Sequence, residues 1–336
     1  MKKTVKIVAA SAVIMLILSA LVFDAKNMTD AIVSAIETCL YTIIPALFGF
    51  MAVSSYLLKS GLYRILFKPL YLLLRHIIKL SEDEFGVFLL SLFGGYPVGA
   101  KLIADNKITR DILPYCYCPS PGFVITVAGI GLFRNPSAGL LVYFSNVLSC
   151  VFLAAVLSRK NTENNIKAQY ASLQLNVFTP AVLSASSALF PVCAVVVAFG
   201  VIKGALQFTG LESSFVFAAL EISNTAKLMP NPVLLPLIAA LFSTGGLCII
   251  TQIPALTNKK IPLKGFFLWR IPAAVLSALF CRLLMPFINF SVYVPASTGA
   301  GAVIPTQAGS PVASAALLIM AVILVKTAGE KKPTSA

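Results

Sequence analysis

Apolar residues run along this chain in blocks of about helix length, separated by short polar stretches. Val5–Phe23, Ala138–Leu157 and Phe266–Phe280 approach or reach the roughly 17–25 residues that cross a bilayer as a helix. Lipid offers no partner to a bare backbone, so such runs must be helices or strands of a closed barrel. The period-2 alternation of a barrel strand is absent, which leaves helices. The pattern predicts an all-α polytopic membrane protein with about 8–11 membrane-embedded helices.

Val5–Phe23 follows Met1-Lys-Lys and is longer than the apolar region of a usual signal peptide, so it reads as a retained first helix. Asp24–Asp30 reads as a polar turn. Ala31–Leu58 is a long run with Pro45 near its middle, a predicted kink. Gly61–Leu80 places Arg64, Lys68, Arg75 and Lys79 among apolar residues at helical spacing, the pattern of an amphipathic helix lying in the interface. Ser81-Glu-Asp-Glu84 fits a capping box. The helix that starts there meets Gly94-Gly95-Tyr96-Pro97 after nine apolar residues, about 13 Å along. That is roughly half of the hydrocarbon core. Pro97 suits the first turn of a second short helix running through Lys101 to Asp105.

Beyond this point Leu113–Phe133 is interrupted by Cys118-Pro-Ser-Pro-Gly122, and Ala138–Leu157 is an ordinary span. A polar linker, 159–172, then divides the chain. In the second half Pro180–Gln207 carries Pro191, Phe215–Lys227 carries Glu221 and Asn224, and Asn231-Pro232 caps a run broken at Ser243-Thr-Gly-Gly246. Pro45 and Pro191 lie 146 residues apart, and Gly95 and Gly246 lie 151 apart. The shared order of proline-kinked span, glycine-broken segment and Asn-Lys exit predicts an internal two-fold repeat. The expected organisation is a first transmembrane helix over 1–24, a first repeat with two following helices over 31–158, and the linker. A second repeat with a following helix over 173–290, a loop over 291–311 and a last helix with a basic tail over 312–336 complete it.

Composition agrees with this class. Of 336 residues, 58% are hydrophobic and 11% charged, whereas soluble domains carry about 25% charged residues. Mean hydropathy is +0.92. The net charge of +14 gathers in loops and helix ends, which is the bias that orients helices rather than a nucleic-acid surface. An orientation with the N-terminus inside puts Arg64–Lys79 and Arg159–Lys167 on the cytoplasmic side. The charges leave 215–258 open between spanning and interfacial placements. Seven cysteines form no framework, and one histidine with a lone C-x-C predicts no metal site and no cofactor. No G-x-S-x-G, H-E-x-x-H or P-loop sequence is present, so catalysis is not expected.

Candidate chemistry lies at the interruptions. Paired breaks in two halves of a membrane protein point to a midplane site, because broken helices present free N–H and C=O groups there. The alternative is that paired glycines only let helices pack closely. Candidate solute-binding residues are Gly94, Gly95, Tyr96, Pro97 and Lys101 in the first half, with Ser120 at the third irregular point. In the second half they are Glu221, Asn224, Thr244, Gly245, Gly246 and Gln252. Glu221 is the carboxylate expected to meet a ligand or a coupling cation, with Asn224 and Thr225 on nearly the same helical face. Lys101 could balance an anion or pair with Asp105 at i+4.

Three ordered stretches carry a resemblance: GGYPVGAKLIADNKIT (Gly94–Thr109), Cys116–Phe133 followed by NPSAG, and LLPLIAALFSTGGLCIITQI (Leu234–Ile253). In these the chain resembles the YlbJ-type sporulation integral membrane proteins, built on tandem nucleoside-recognition (Gate) domains, over about Ile32–Asn289. One departure is that Cys118 stands where the family has an Asn before the central proline. The resemblance implies a multi-pass protein of a bacterial cytoplasmic membrane, with a transporter-like core acting in sporulation. The transport reading of the breaks takes as partners the lipid bilayer, a small polar solute (nucleoside-like or anionic) and a coupling cation; a homo-oligomer is compatible with it. The competing reading is a non-transporting membrane factor in spore-envelope assembly.

Overall fold

A computed structural model describes residues 2–105, 108, 111–158, 175–257 and 263–287, all within one unit, Met1–Val294. The expected linker over 159–172, the loop over 291–311, the last helix over 312–336 and the two Asn-Lys exits lie outside the described residues. Among the described residues every regular element is helical. Five helices are long and apolar enough to cross a membrane: Ala25–Ser60, Pro136–Leu157, Phe178–Phe208, Pro232–Leu256 and Lys264–Phe287. The apolar stretches Ser11–Phe23 and Pro121–Leu132 are shorter. The chain is an all-α polytopic membrane protein.

Helix α1 spans Lys2–Phe23, and α2 spans Ala25–Thr38. The polar stretch 24–30, expected as a turn, is a bend only at Asp24 and helical from Ala25 onward. The reason is tertiary. Met28 and Ala31 are buried against α9 (Phe178–Phe208), where Gly200 and Gly204 form a G-x-x-x-G face. A Cβ on Gly200 would lie 2.7 Å from Cβ of Ala35, and one on Gly204 would lie 2.7 Å from Sδ of Met28. Small residues of this kind let helix backbones approach where no hydrophobic effect drives association.

The chain continues through one π-helical stretch, Cys39–Ile43, into α3 (Ile44–Ser60). Pro45 sits in the first turn of α3, where its missing N–H costs least. The widened turn before it takes up the clash of the ring with the preceding carbonyls. Gly61, at φ 74°, ends α3 and turns the chain into α4 (Leu62–Leu74). The capping box is formed as expected at the start of α5 (Glu82–Gly94). Ser81 Oγ accepts from the Glu84 amide at 3.3 Å, and the Glu84 carboxylate accepts from the Ser81 amide at 3.0 Å.

After α6 (Tyr96–Asp105), irregular backbone over 111–120 leads into α7 (Pro121–Val124) and a π-helical stretch, Ile125–Leu132. Helix α8 (Pro136–Leu157) starts at Asn135, whose side chain accepts from the Ser137 amide. The second half holds α9, a short α10 (Ser214–Leu220) and a 3-10 turn, Ile222–Lys227. Then come α11 (Leu235–Thr244), α12 (Gly246–Leu256) and α13 (Lys264–Leu284). Helices α8, α11 and α13 form one packed group joined by polar side chains. Asn146 Nδ2 and Ser277 Oγ donate to the Ala239 carbonyl at 3.3 and 3.1 Å, and Ser149 Oγ donates to the Ala273 carbonyl at 2.9 Å.

Candidate functional site

Both glycine breaks form where the sequence places them, with different backbones. The first turns on Gly95 alone, at φ 90° and ψ 174°, between α5 and α6. The second uses two successive left-handed residues, Gly245 at φ 79° and Gly246 at φ 72°. A side chain at either position would strain the backbone, and at Gly245 it would also collide with the Tyr117 hydroxyl.

Tertiary packing brings the breaks together. Tyr96, the first residue of α6, donates its hydroxyl to the Phe242 carbonyl at the end of α11. Tyr117, from the irregular segment, donates to the Thr244 carbonyl at 3.0 Å. Its ring lies 4.7 Å from that of Tyr96, centroid to centroid. Tyr143, on α8, donates to the Leu92 carbonyl near the end of α5 at 3.2 Å. The Arg270 guanidinium donates to the Ser243 carbonyl at 3.3 Å and to the Pro114 carbonyl, stacked 4.6 Å from the Tyr117 ring and 4.8 Å from Phe266. The carbonyls that α11 leaves unpaired at its C-terminus are thus met by two tyrosines and a cation. Arg270 is 5% exposed, and no carboxylate pairs with it among the described residues.

The first break closes on the irregular segment. Gly99, one turn into α6, lies so close to the Cys116 carbonyl that a Cβ would strike it. A Cβ on Gly95 would lie 3.1 Å from Cβ of Ser120. Ser120 itself caps α7, accepting from the Phe123 amide at 3.4 Å. Gly94, Gly95, Tyr96, Pro97, Ser120, Gly245 and Gly246 are all buried, and Thr244 is half-buried with its hydroxyl bonded to the Leu241 carbonyl. These eight expected binding residues therefore form one protein-filled hub. Lys101 and Asp105 pair with each other at 3.2 Å, and Ser184 donates to Asp105 from α9.

Glu221 and Asn224 stand elsewhere, in a cleft. They line a small cleft of about 30 Å³, partly open to the surface, together with Ser34 and Thr38 of α2, Lys203 of α9 and Phe217 of α10. Here the sequence reading needs correction. Glu221, Asn224 and Thr225 do not share the face of a continuous helix, because the helix breaks at Glu221, which is extended at φ −140° and ψ 114°. Its carboxylate accepts from the Ser223 amide at 2.9 Å and from the Ser223 hydroxyl, so the side chain N-caps the 3-10 turn that follows α10. Asn224 folds back, donating to the carboxylate at 3.1 Å while its Oδ1 accepts from Lys203 Nζ at 3.3 Å. A carboxylate and an ammonium are thus held in one cleft with an amide between them. Thr225 is buried and bonds the Ile222 carbonyl.

The cleft and the hub touch. A Cβ on Gly246 would lie 3.1 Å from the Ala219 carbonyl and 3.4 Å from the Leu220 carbonyl, the last residues before Glu221. Gln252, on α12, is buried, with Nε2 3.5 Å from Cys248 Sγ and Oε1 without a hydrogen-bond partner among the described residues. Sequence reasoning passed over Arg270, Lys203, Tyr117 and Tyr143. For the first two the available signal was a basic residue inside an apolar run, FFLWRIPAAV and AFGVIKGAL.

Comparison of the chain with protein-family models, with curated proteins and with solved structures finds no match.

Proposed function

We propose that the chain is a membrane translocator for a small polar solute, nucleoside-like or anionic, that binds in the cleft at Glu221. The observation that carries this reading is the cleft itself: a carboxylate, an ammonium, an amide and two hydroxyl side chains lining one space between helices. Ionisable groups within membrane-embedded segments are costly in lipid and mark solute or ion paths by default. Broken helices beside the cleft add to the reading, because irregular backbone is tolerated only where protein or a wet cavity surrounds it. Glu221 takes the ligand's hydrogen-bond donors or a coupling cation, and Lys203 takes its acceptors. The motif resemblance supports the same core and suggests a bacterial cytoplasmic membrane and a role in sporulation. No catalytic step is part of this proposal.

Thermal-shift screening of polar solutes on the purified protein tests the binding half. The expected result is a stabilising solute whose shift disappears in Glu221→Ala. A solute whose shift is unchanged in that variant would place the binding position elsewhere.

One observation favours a second reading, a non-transporting factor in envelope assembly. The hub carbonyls are met by Tyr96, Tyr117 and Arg270, which suits a rigid scaffold. A broad solute panel without any shift would support it.

A further inference from the structure

Helix α4 presents three faces. Tyr63, Phe67, Tyr71 and Leu74 turn toward the protein. The Tyr63 and Tyr71 rings pack on α5, where a Cβ at Gly86 would strike Tyr63 and the Tyr71 ring lies 5.4 Å from Phe85. Ile65, Leu66, Leu72 and Leu73 point away from the protein; Ile65 is 65% exposed and Leu73 71%. At about 100° per residue, Arg64, Lys68 and Arg75 fall in one narrow arc between these two faces.

Of the three cations in the arc, one is paired with an acid. Asp83 is buried against Arg64 at 2.8 Å and accepts from the Tyr63 hydroxyl, and Glu84 is buried in the capping box. Arg64 is thereby neutralised. Lys68 and Arg75 are exposed and have neither an ion-pair nor a hydrogen-bond partner among the described residues. They stand seven residues apart, roughly 10 Å along the helix. Thirteen residues, about 20 Å, are too few to cross a bilayer. A short helix with one apolar outward face and adjoining cations fits the boundary between acyl chains and headgroups.

We infer that α4 is a docking site for anionic phospholipid: its apolar face enters the acyl region, and Lys68 and Arg75 engage the acidic headgroups. The partner is fixed by charge, since zwitterionic headgroups offer no net counter-charge to a face that holds two unpaired cations. A Lys or Arg near an acidic membrane surface contributes about a five-fold preference.

The test uses the full chain in nanodiscs of phosphatidylcholine alone or with phosphatidylglycerol, with retained lipids counted by native mass spectrometry. The expected result is enrichment of phosphatidylglycerol around the wild type, reduced at least five-fold in K68Q/R75Q. It should be unchanged in K26Q, an exposed lysine at the start of α2. Equal retention of the two lipids by the wild type overturns the inference, and so does enrichment that survives in K68Q/R75Q or falls equally in K26Q. Thermal unfolding in phosphatidylcholine alone shows whether the double variant is folded, and the single variants K68Q and R75Q each repeat the test with half the charge removed.

Discussion

Arg270 holds the part of the molecule where single atoms matter most. A guanidinium can meet two carbonyls and stack between Tyr117 and Phe266 at once, and an ammonium cannot. Arg270→Met leaves the Ser243 and Pro114 carbonyls buried without that partner and is expected to lower stability by about 2–4 kcal/mol, read as thermal unfolding in detergent. Arg270→Lys should recover less than half of the loss; full recovery would show that charge alone was needed. The glycines give a second contrast. Gly246→Ala combines a left-handed backbone, about 1–2 kcal/mol, with crowding against the Ala219 carbonyl. Gly122→Ala meets open space and should change stability by no more than about 0.5 kcal/mol.

Asp111 shows a residue-scale effect that depends on pH. It lies against Gly265 at the start of α13, and burial raises its carboxyl above the ordinary 3.8. A raised acid binds its proton more tightly in the folded state, so stability falls as pH rises from 3.8 through the raised value. Asp111→Asn should remove that fall, and a melting temperature with the same slope over this window in both proteins would contradict the assignment.

At the scale of elements, the sequence was most legible where local chemistry decides. The capping box at Ser81, the Asn231 cap with its following proline, and both glycine breaks are set by residues within a turn of one another, and they appear where the pattern put them. Ser81→Ala should cost about 1 kcal/mol. The reading failed where tertiary packing overrides local preference. The polar stretch after Asp24 is helical because α9 covers Met28 and Ala31. Phe215–Lys227 is not one helix, because the Glu221 carboxylate takes the Ser223 amide and N-caps the 3-10 turn that follows α10.

For the whole molecule, the breaks were legible but their partners were not. Tyr117 and Arg270 come from segments far along the chain, and a run such as Phe266–Phe280 reads as uniformly apolar until the charge inside it is given a place. The pattern pointed to one midplane site at the paired breaks and named twelve candidate residues. Folding places eight of them in a filled hub, leaves Glu221 and Asn224 in a partly open cleft, pairs Lys101 with Asp105 and sets Gln252 against Cys248. The hub holds the broken helices together, and the small polar cleft beside it is the binding position proposed above.

Uptake into proteoliposomes tests that division most directly. A polar solute identified by thermal shift should accumulate saturably with wild-type protein and at least about ten-fold more slowly with Glu221→Ala, the loss of one charged hydrogen-bonding partner. Uptake by Glu221→Ala equal to wild type, or no uptake above empty liposomes across the panel, would contradict the account.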